Sequence, residues 1–219
     1  MDEFIKEVEE DLKRDRQLEL WRKYGKYAVS LALLAVIIAS AVVGWRNYQQ
    51  SQRYEQGLKY AQALDLVVAE QTGAALTAFA KLAAEAGAGY AALARLQEAG
   101  LLAKAGDGAG AAAVYERVIA DSGANRIFRD LALILLALSI ADNADPQALT
   151  DRLAPLTAKD NPWRHSALEV TALLHLRARD EARAWEIFTT LADDTTAPRN
   201  MRARASEMLA SLGKRPGRP

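Results

Sequence analysis

Apolar and polar positions divide the chain into three zones. In residues 1–26, Phe4, Val8 and Leu12 follow one another at steps of four with Ile5 alongside, while the other positions are mostly charged. That spacing lines one stripe of a helix and predicts a short amphipathic segment whose stripe ends at Leu12. Residues 27–45, YAVSLALLAVIIASAVVGW, then run for nineteen positions without a charge. From about residue 50 onward, apolar residues recur at helical spacing in blocks of about 10–18 residues. The breaks between blocks fall near 71–73, 86–89, 106–108, 122–123, 142–146, 160–162, 179–180 and 197–198. No block alternates apolar with polar in the manner of a half-buried strand, so the pattern predicts an all-α fold.

The uncharged run predicts a transmembrane helix over 27–45. Nineteen residues at about 1.5 Å each give a rod of roughly 28 Å, close to the hydrocarbon thickness of a bilayer. Trp21, Tyr24 and Tyr27 at one end, and Trp45 and Tyr48 at the other, are the aromatic side chains that favour the headgroup level. Ala39-Ser40-Ala41 has the small-x-small form of a signal-peptide cleavage site, but it lies inside the run, and the 26 residues before the run carry eight acids. A secretory leader has a short basic start instead, so an uncleaved anchor is expected. Orientation follows from Lys and Arg. Lys13, Arg14, Arg16, Arg22, Lys23 and Lys26 precede the span, against Arg46, Arg53 and Lys59 just after it. The N-terminus is therefore expected in the cytoplasm, with the domain after residue 46 outside the membrane, which in a bacterium is the periplasm. Ala28, Ala32, Ala35 and Ala39 give the span a face on which another helix can pack closely.

The third zone repeats. Ala99, Leu102, the turn Gly106-Asp107, Ala111, Tyr115 and Val118 recur 36 residues earlier as Ala63, Leu66, the turn Glu70-Gln71, Ala75, Phe79 and Leu82. They recur 73 residues later as Ala172, His175, the turn Arg179-Asp180, Ala184, Phe188 and Leu191, and a degenerate unit fits between through Ala137, Ile140, Leu149, Leu153 and Leu156. Small residues where two helices cross and an aromatic in the second helix are the pattern of a tetratricopeptide pair. The expected architecture is a tetratricopeptide-like α-solenoid of about four helix pairs over 46–212, with a disordered tail at 213–219. A solenoid leaves a concave face free for partners. Repeat phase assigns Tyr60, Leu64, Lys104, Leu138, Glu169, Leu173 and Arg177 to that face.

Composition agrees and narrows the chemistry. Alanine contributes 45 of 219 residues, and it favours helix over strand. Twenty-eight basic residues balance 28 acidic ones, which argues against nucleic acid as a partner. There is no cysteine, so no thiolate metal site or nucleophile, and His165 and His175 stand ten apart, unlike a helical metal pair. Gly108-Ala109-Gly110-Ala111-Ala112-Ala113 matches a dinucleotide fingerprint, but that motif needs a preceding strand, and Leu101 to Ala105 reads as helix. Asp193-Asp194 reads as a solvated turn. Neither an enzyme nor a bound cofactor or metal is expected.

Asn161-Pro162 predicts a helix start, with Asn161 as N-cap, Pro162 as first helical residue and Trp163 anchoring the helix on the preceding pair. With that segment the chain resembles the ancillary SecYEG translocon subunit family in its alphaproteobacterial form. The resemblance rests on Glu9 to Arg16 leading to Leu20-Trp21 and Tyr24-Gly25, on Gly44-Trp45-Arg46 at the end of the span, on Gly89 to Ala94, and on Asn161 to Ala167. It implies a single-pass protein of the bacterial inner membrane beside the SecYEG translocon. Its periplasmic repeats would work with a membrane-anchored chaperone of the prolyl-isomerase type and meet secreted polypeptides as they emerge. The same repeats would also suit a general envelope scaffold in cell division or outer-membrane assembly.

Overall fold

A computed structural model describes residues 2–213; for residues 2–21, 25–29, 32 and 35 it describes the backbone without the side chains. The described residues form helices joined by short turns: α1 (Asp2–Val68), α2 (Thr72–Glu85), α3 (Ala88–Lys104), α4 (Gly108–Ala120), α5 (Arg126–Ile140), α6 (Pro146–Leu153) continued by a 3-10 turn (Ala154–Thr157), α7 (Arg164–Arg177), α8 (Glu181–Asp193) and α9 (Arg199–Leu212). No strand occurs among the described residues. Two compact units divide the chain, Met1–Glu55 and Gln56–Pro219.

In the first unit the backbone is a single helix. Pattern reading separates 1–26, 27–45 and a helix beginning near residue 50, whereas α1 runs unbroken for 67 residues. The cause is the lack of a stop signal. The first proline is Pro146, and Gly25, Gly44 and Gly57 stand singly. An isolated glycine costs a helix only about 1 kcal/mol relative to alanine. The amphipathic stripe of Phe4 to Leu12 and three members of the small-residue face, Ala28, Ala32 and Ala35, fall outside the described side chains, while Ala39 is exposed. Among the described residues no helix is long and apolar enough to cross a membrane. Positions 27–29, 32 and 35 of the expected span lie outside that set. The tail beyond Gly213 also lies outside the described residues.

The second unit is built of helix pairs: the end of α1 with α2, α3 with α4, α5 with α6, and α7 with α8, followed by α9. The small residues set the crossings. Ala63, Ala75, Ala99, Ala111, Ala137, Ala172 and Ala184 are all fully buried, and Phe79, Tyr115 and Phe188 fill the space beside them. In the third pair Leu153 takes the aromatic's place. Four apolar clusters follow one another along the chain. The first joins α1, α2 and α3; the second α3, α4 and α5; the third α5, α6 and α7; the last α7, α8 and α9. Helices α3, α5 and α7 therefore bury residues on two sides, one toward each neighbouring cluster.

The turns inside the first, second and fourth pairs share one geometry. Gly106 has φ 86°, and the equivalent Glu70 and Arg179 have φ 59° and 61°. The following amide closes each helix: Gln71 donates to the Leu66 carbonyl, Asp107 to Leu102 and Asp180 to His175, each at 2.9 Å. This is the left-handed helix stop in which an otherwise orphaned carbonyl gains a donor. Asp107 and Asp180 then cap α4 and α8 by accepting from Gly110 and Arg183.

One expected helix start is displaced. Asn161-Pro162 predicts α7 from Pro162, yet α7 begins at Arg164. The buried Asn161 is used differently. Its Oδ1 accepts from the Trp163 amide at 2.8 Å, closing an Asx turn, and its Nδ2 donates to Asp130 at 2.9 Å. Trp163 does reach the preceding pair, where its indole N–H donates to the Ile127 carbonyl at 2.9 Å.

Candidate functional site

Leu138 near the end of α5 and Leu173 on α7 remain 48% and 40% exposed. The two line one concavity of about 250 Å³ between these helices, together with Ala141, Asp142, Val170 and Arg177. Arg177 closes one end. Its guanidinium donates to the carbonyls of Ala141, Asp142 and Ala144, the unsatisfied carbonyls that follow a helix. Leu138 also borders a wider trough of about 720 Å³ lined by Gly106, Gly108, Ala109, Ser139 and Asn143. Small residues there leave backbone within reach of a ligand's own main chain. The smaller concavity thus has leucine, valine and alanine on its walls and a guanidinium at one end, and the trough beside it is lined mostly by small residues.

Of the residues assigned from repeat phase, Leu138, Leu173 and Arg177 thus come together. The others sit elsewhere. Tyr60 meets the edge of Phe79 and packs near Tyr90, with ring centroids at 5.7 and 6.1 Å, and its hydroxyl accepts from Gln97. Leu64 is half-buried against the first cluster. Lys104 is exposed in the last turn of α3. Glu169 holds Arg204 of α9 through two hydrogen bonds of 2.8 and 2.9 Å. Sequence reasoning missed Val170, Asp142 and the trough. The signal available was the small-residue run Gly106 to Ala109, which reads first as a turn.

Other polar contacts of the second unit involve residues that do not line these concavities. Asp194 is no solvated turn residue: it accepts from the Thr196 hydroxyl and amide, from Arg164 at 2.7 Å and faces His165 Nε2 at 3.1 Å. The Thr196 hydroxyl and then the Arg164 guanidinium hold its carboxyl well below the usual carboxylate range. The run of two acids hides Arg164 and His165 because they lie 30 and 29 residues back, at the start of α7. Arg95 likewise lowers the pKa of Asp121, aided by the Gly123 amide. Burial pushes Glu98 up, against the pull of Arg117 and Arg95. His175 is buried with Nδ1 3.7 Å from Asp180. The dinucleotide-like run at Gly108 opens α4 after a helix and a turn, with the Asp107 carboxylate accepting from the Gly110 amide, so the strand that motif needs is absent from its place. Among the described residues no group of three or more His, Cys, Asp or Glu side chains is placed to hold a metal ion.

Stacked helix pairs, alanine crossings and an open groove define an α-solenoid interaction module. The sequence profile of the tetratricopeptide repeat-like domain matches residues 19–194, and the chain belongs to that family. No curated protein matches the chain.

Proposed function

We propose that this chain is a membrane-anchored interaction protein that assists protein secretion at the SecYEG translocon through non-covalent contacts, not catalysis. One observation carries the anchor. Leu31, Leu33, Leu34, Val36, Ile37, Ile38, Val42, Val43 and Trp45 are each 44–68% exposed on a helix that carries no charge from 27 to 45. Apolar surface costs about 25 cal/mol per Å² when left in water, and a lipid bilayer removes that cost. The excess of Lys and Arg before the span supports a cytoplasmic N-terminus and a periplasmic repeat domain in the bacterial inner membrane.

The groove at Leu138 and Leu173 supplies the working surface in this reading. Its apolar seat suits segments of an unfolded polypeptide, and tethering beside a membrane exit raises their effective concentration, so weak contacts suffice. The translocon and the prolyl-isomerase-type chaperone enter as partners through the family resemblance of Asn161 to Ala167 and the N-terminal pattern.

The test is a mild-detergent affinity purification of the full chain against one whose residues 27–45 are replaced by an unrelated span. Translocon subunits recovered with the native span and lost with the substitute support the reading. Recovery of a different envelope complex by both chains overturns it.

A further inference from the structure

Between Glu19 and Glu55 the chain contains no Asp or Glu, yet it carries Arg22, Lys23, Lys26, Arg46 and Arg53. The described side chains of this set, Arg22, Lys23, Arg46 and Arg53, are exposed. Among the described residues none of the four is paired with a carboxylate; Lys23 instead lies over the Tyr24 ring, 5.6 Å from its centroid. We infer that α1 binds anionic phospholipid headgroups at both faces of the bilayer, through Arg22 and Lys23 at one end and Arg46 and Arg53 at the other. This inference rests on the membrane reading above and names the lipid class that α1 selects.

The spacing supports the assignment. Arg22 and Arg46 are 24 residues apart on one helix, or about 36 Å along its axis. The hydrocarbon core is about 30 Å thick and the bilayer with its headgroups about 40–45 Å, so both cations fall at headgroup level. Tyr24 and Trp45, about 32 Å apart by the same rise, mark the two edges of the core. Arg53 stands further out, within the reach of a mobile headgroup. Trp45 and Tyr48 pack at 6.2 Å between ring centroids, a small aromatic platform next to Arg46. Asn47, Gln49, Gln50 and Gln52 fill the intervening turns with uncharged hydrogen-bonding groups. Between Glu19 and Glu55, the acids that bound this stretch, the helix presents cations and amides to the anionic phosphate layer with no carboxylate among them.

The experiment is tryptophan quenching of the full chain in phosphatidylcholine vesicles doped with brominated phosphatidylglycerol or with brominated phosphatidylcholine. Trp21 and Trp45 report lipid at the two ends of the span. The expected result is a relative binding constant about fivefold in favour of phosphatidylglycerol, the effect of roughly one basic side chain at an anionic surface. It should fall as salt is raised. R22Q/K23Q and R46Q/R53Q should each lower it, with the apolar run intact in both. Equal quenching by the two lipids, or a preference that both double variants leave unchanged, overturns the headgroup inference while the span stands. Absence of quenching by either lipid overturns the membrane reading itself.

Discussion

Arg152 places its two terminal guanidinium nitrogens on the carboxylate of Glu116, at 2.7 and 3.0 Å, from one repeat further along the chain. Other polar contacts span nearly the same interval. Gln97 donates to Tyr60, Trp163 to the Ile127 carbonyl, Arg177 to the end of α5, and Arg204 to Glu169. Each repeat is a displaced copy of its neighbour, so a side chain at a given phase meets the residue about one period earlier.

These ties differ in strength. Arg152 and Glu116 are 39% and 47% exposed, so water screens the pair, and Arg152→Ala should cost no more than about 1 kcal/mol. Trp163→Phe, losing one hydrogen bond, should cost about 1 kcal/mol. Trp163→Ala also empties a packed position and should cost about 2–4 kcal/mol. Urea unfolding midpoints rank the three; an Arg152→Ala loss larger than that of Trp163→Ala contradicts the ranking.

Two glycines should respond to the same substitution with opposite signs. Gly106 has positive φ and open space where a Cβ would stand, so Gly106→Ala carries only backbone strain, about 1–2 kcal/mol destabilising. Gly73 lies within α2, also with open space, and Gly73→Ala should stabilise by up to about 1 kcal/mol. Thermal melts of the two variants decide the matter.

Acid should loosen the stack where α4 and α8 end. The folded pKa values of Asp194 and Asp121 lie below the unfolded value of about 3.9, so the unfolded chain binds more protons as pH falls. The stabilisation is complete above about pH 5 and is lost as pH falls through the window toward the folded values. Asp194→Asn removes one of these contributions, and its stability should fall less steeply between about pH 5 and 2 than that of the parent. Circular dichroism along an acid titration measures both slopes; equal slopes contradict the role given to Asp194.

The groove makes a separable claim. Leu138 and Leu173 are half exposed, so Leu138→Glu with Leu173→Glu should change stability by only about 1 kcal/mol in total. Binding of a fluorescein-labelled unfolded polypeptide should weaken at least about tenfold, since each apolar side chain buried in such a seat contributes about 1.5–3 kcal/mol. Fluorescence anisotropy reads the difference, and unchanged affinity moves the binding surface elsewhere.

What was legible in the sequence was whatever is encoded locally. The breaks at Gly106-Asp107, Ser122-Gly123 and Asp142 to Pro146 fall between helices because glycine, aspartate and proline act on their own backbone. Alanine at Ala63, Ala99 and Ala172 marked the crossings, since larger side chains would hold the helices apart. Repeat phase brought Leu138, Leu173 and Arg177 to one place. The continuity of α1 is not legible in the pattern, because a change in polarity looks like a boundary although nothing in the backbone stops there. The partners of Asn161, Glu169 and Asp194 were hidden for another reason. Each lies about 30 residues away, and only packing decides which of several neighbouring polar groups it meets.

The serial order of the four apolar clusters bears on how the repeat domain comes apart. Each cluster draws only on helices consecutive in sequence, and α3, α5 and α7 act as shared walls. Disruption of the last cluster removes support from one side of α7 while its other side stays seated on α5. Opening can thus proceed stepwise from an end, with amide exchange fastest in α9 and slowest in the middle pairs. A domain so arranged can admit a bound segment by releasing one end of the stack while the rest of its surface stays formed.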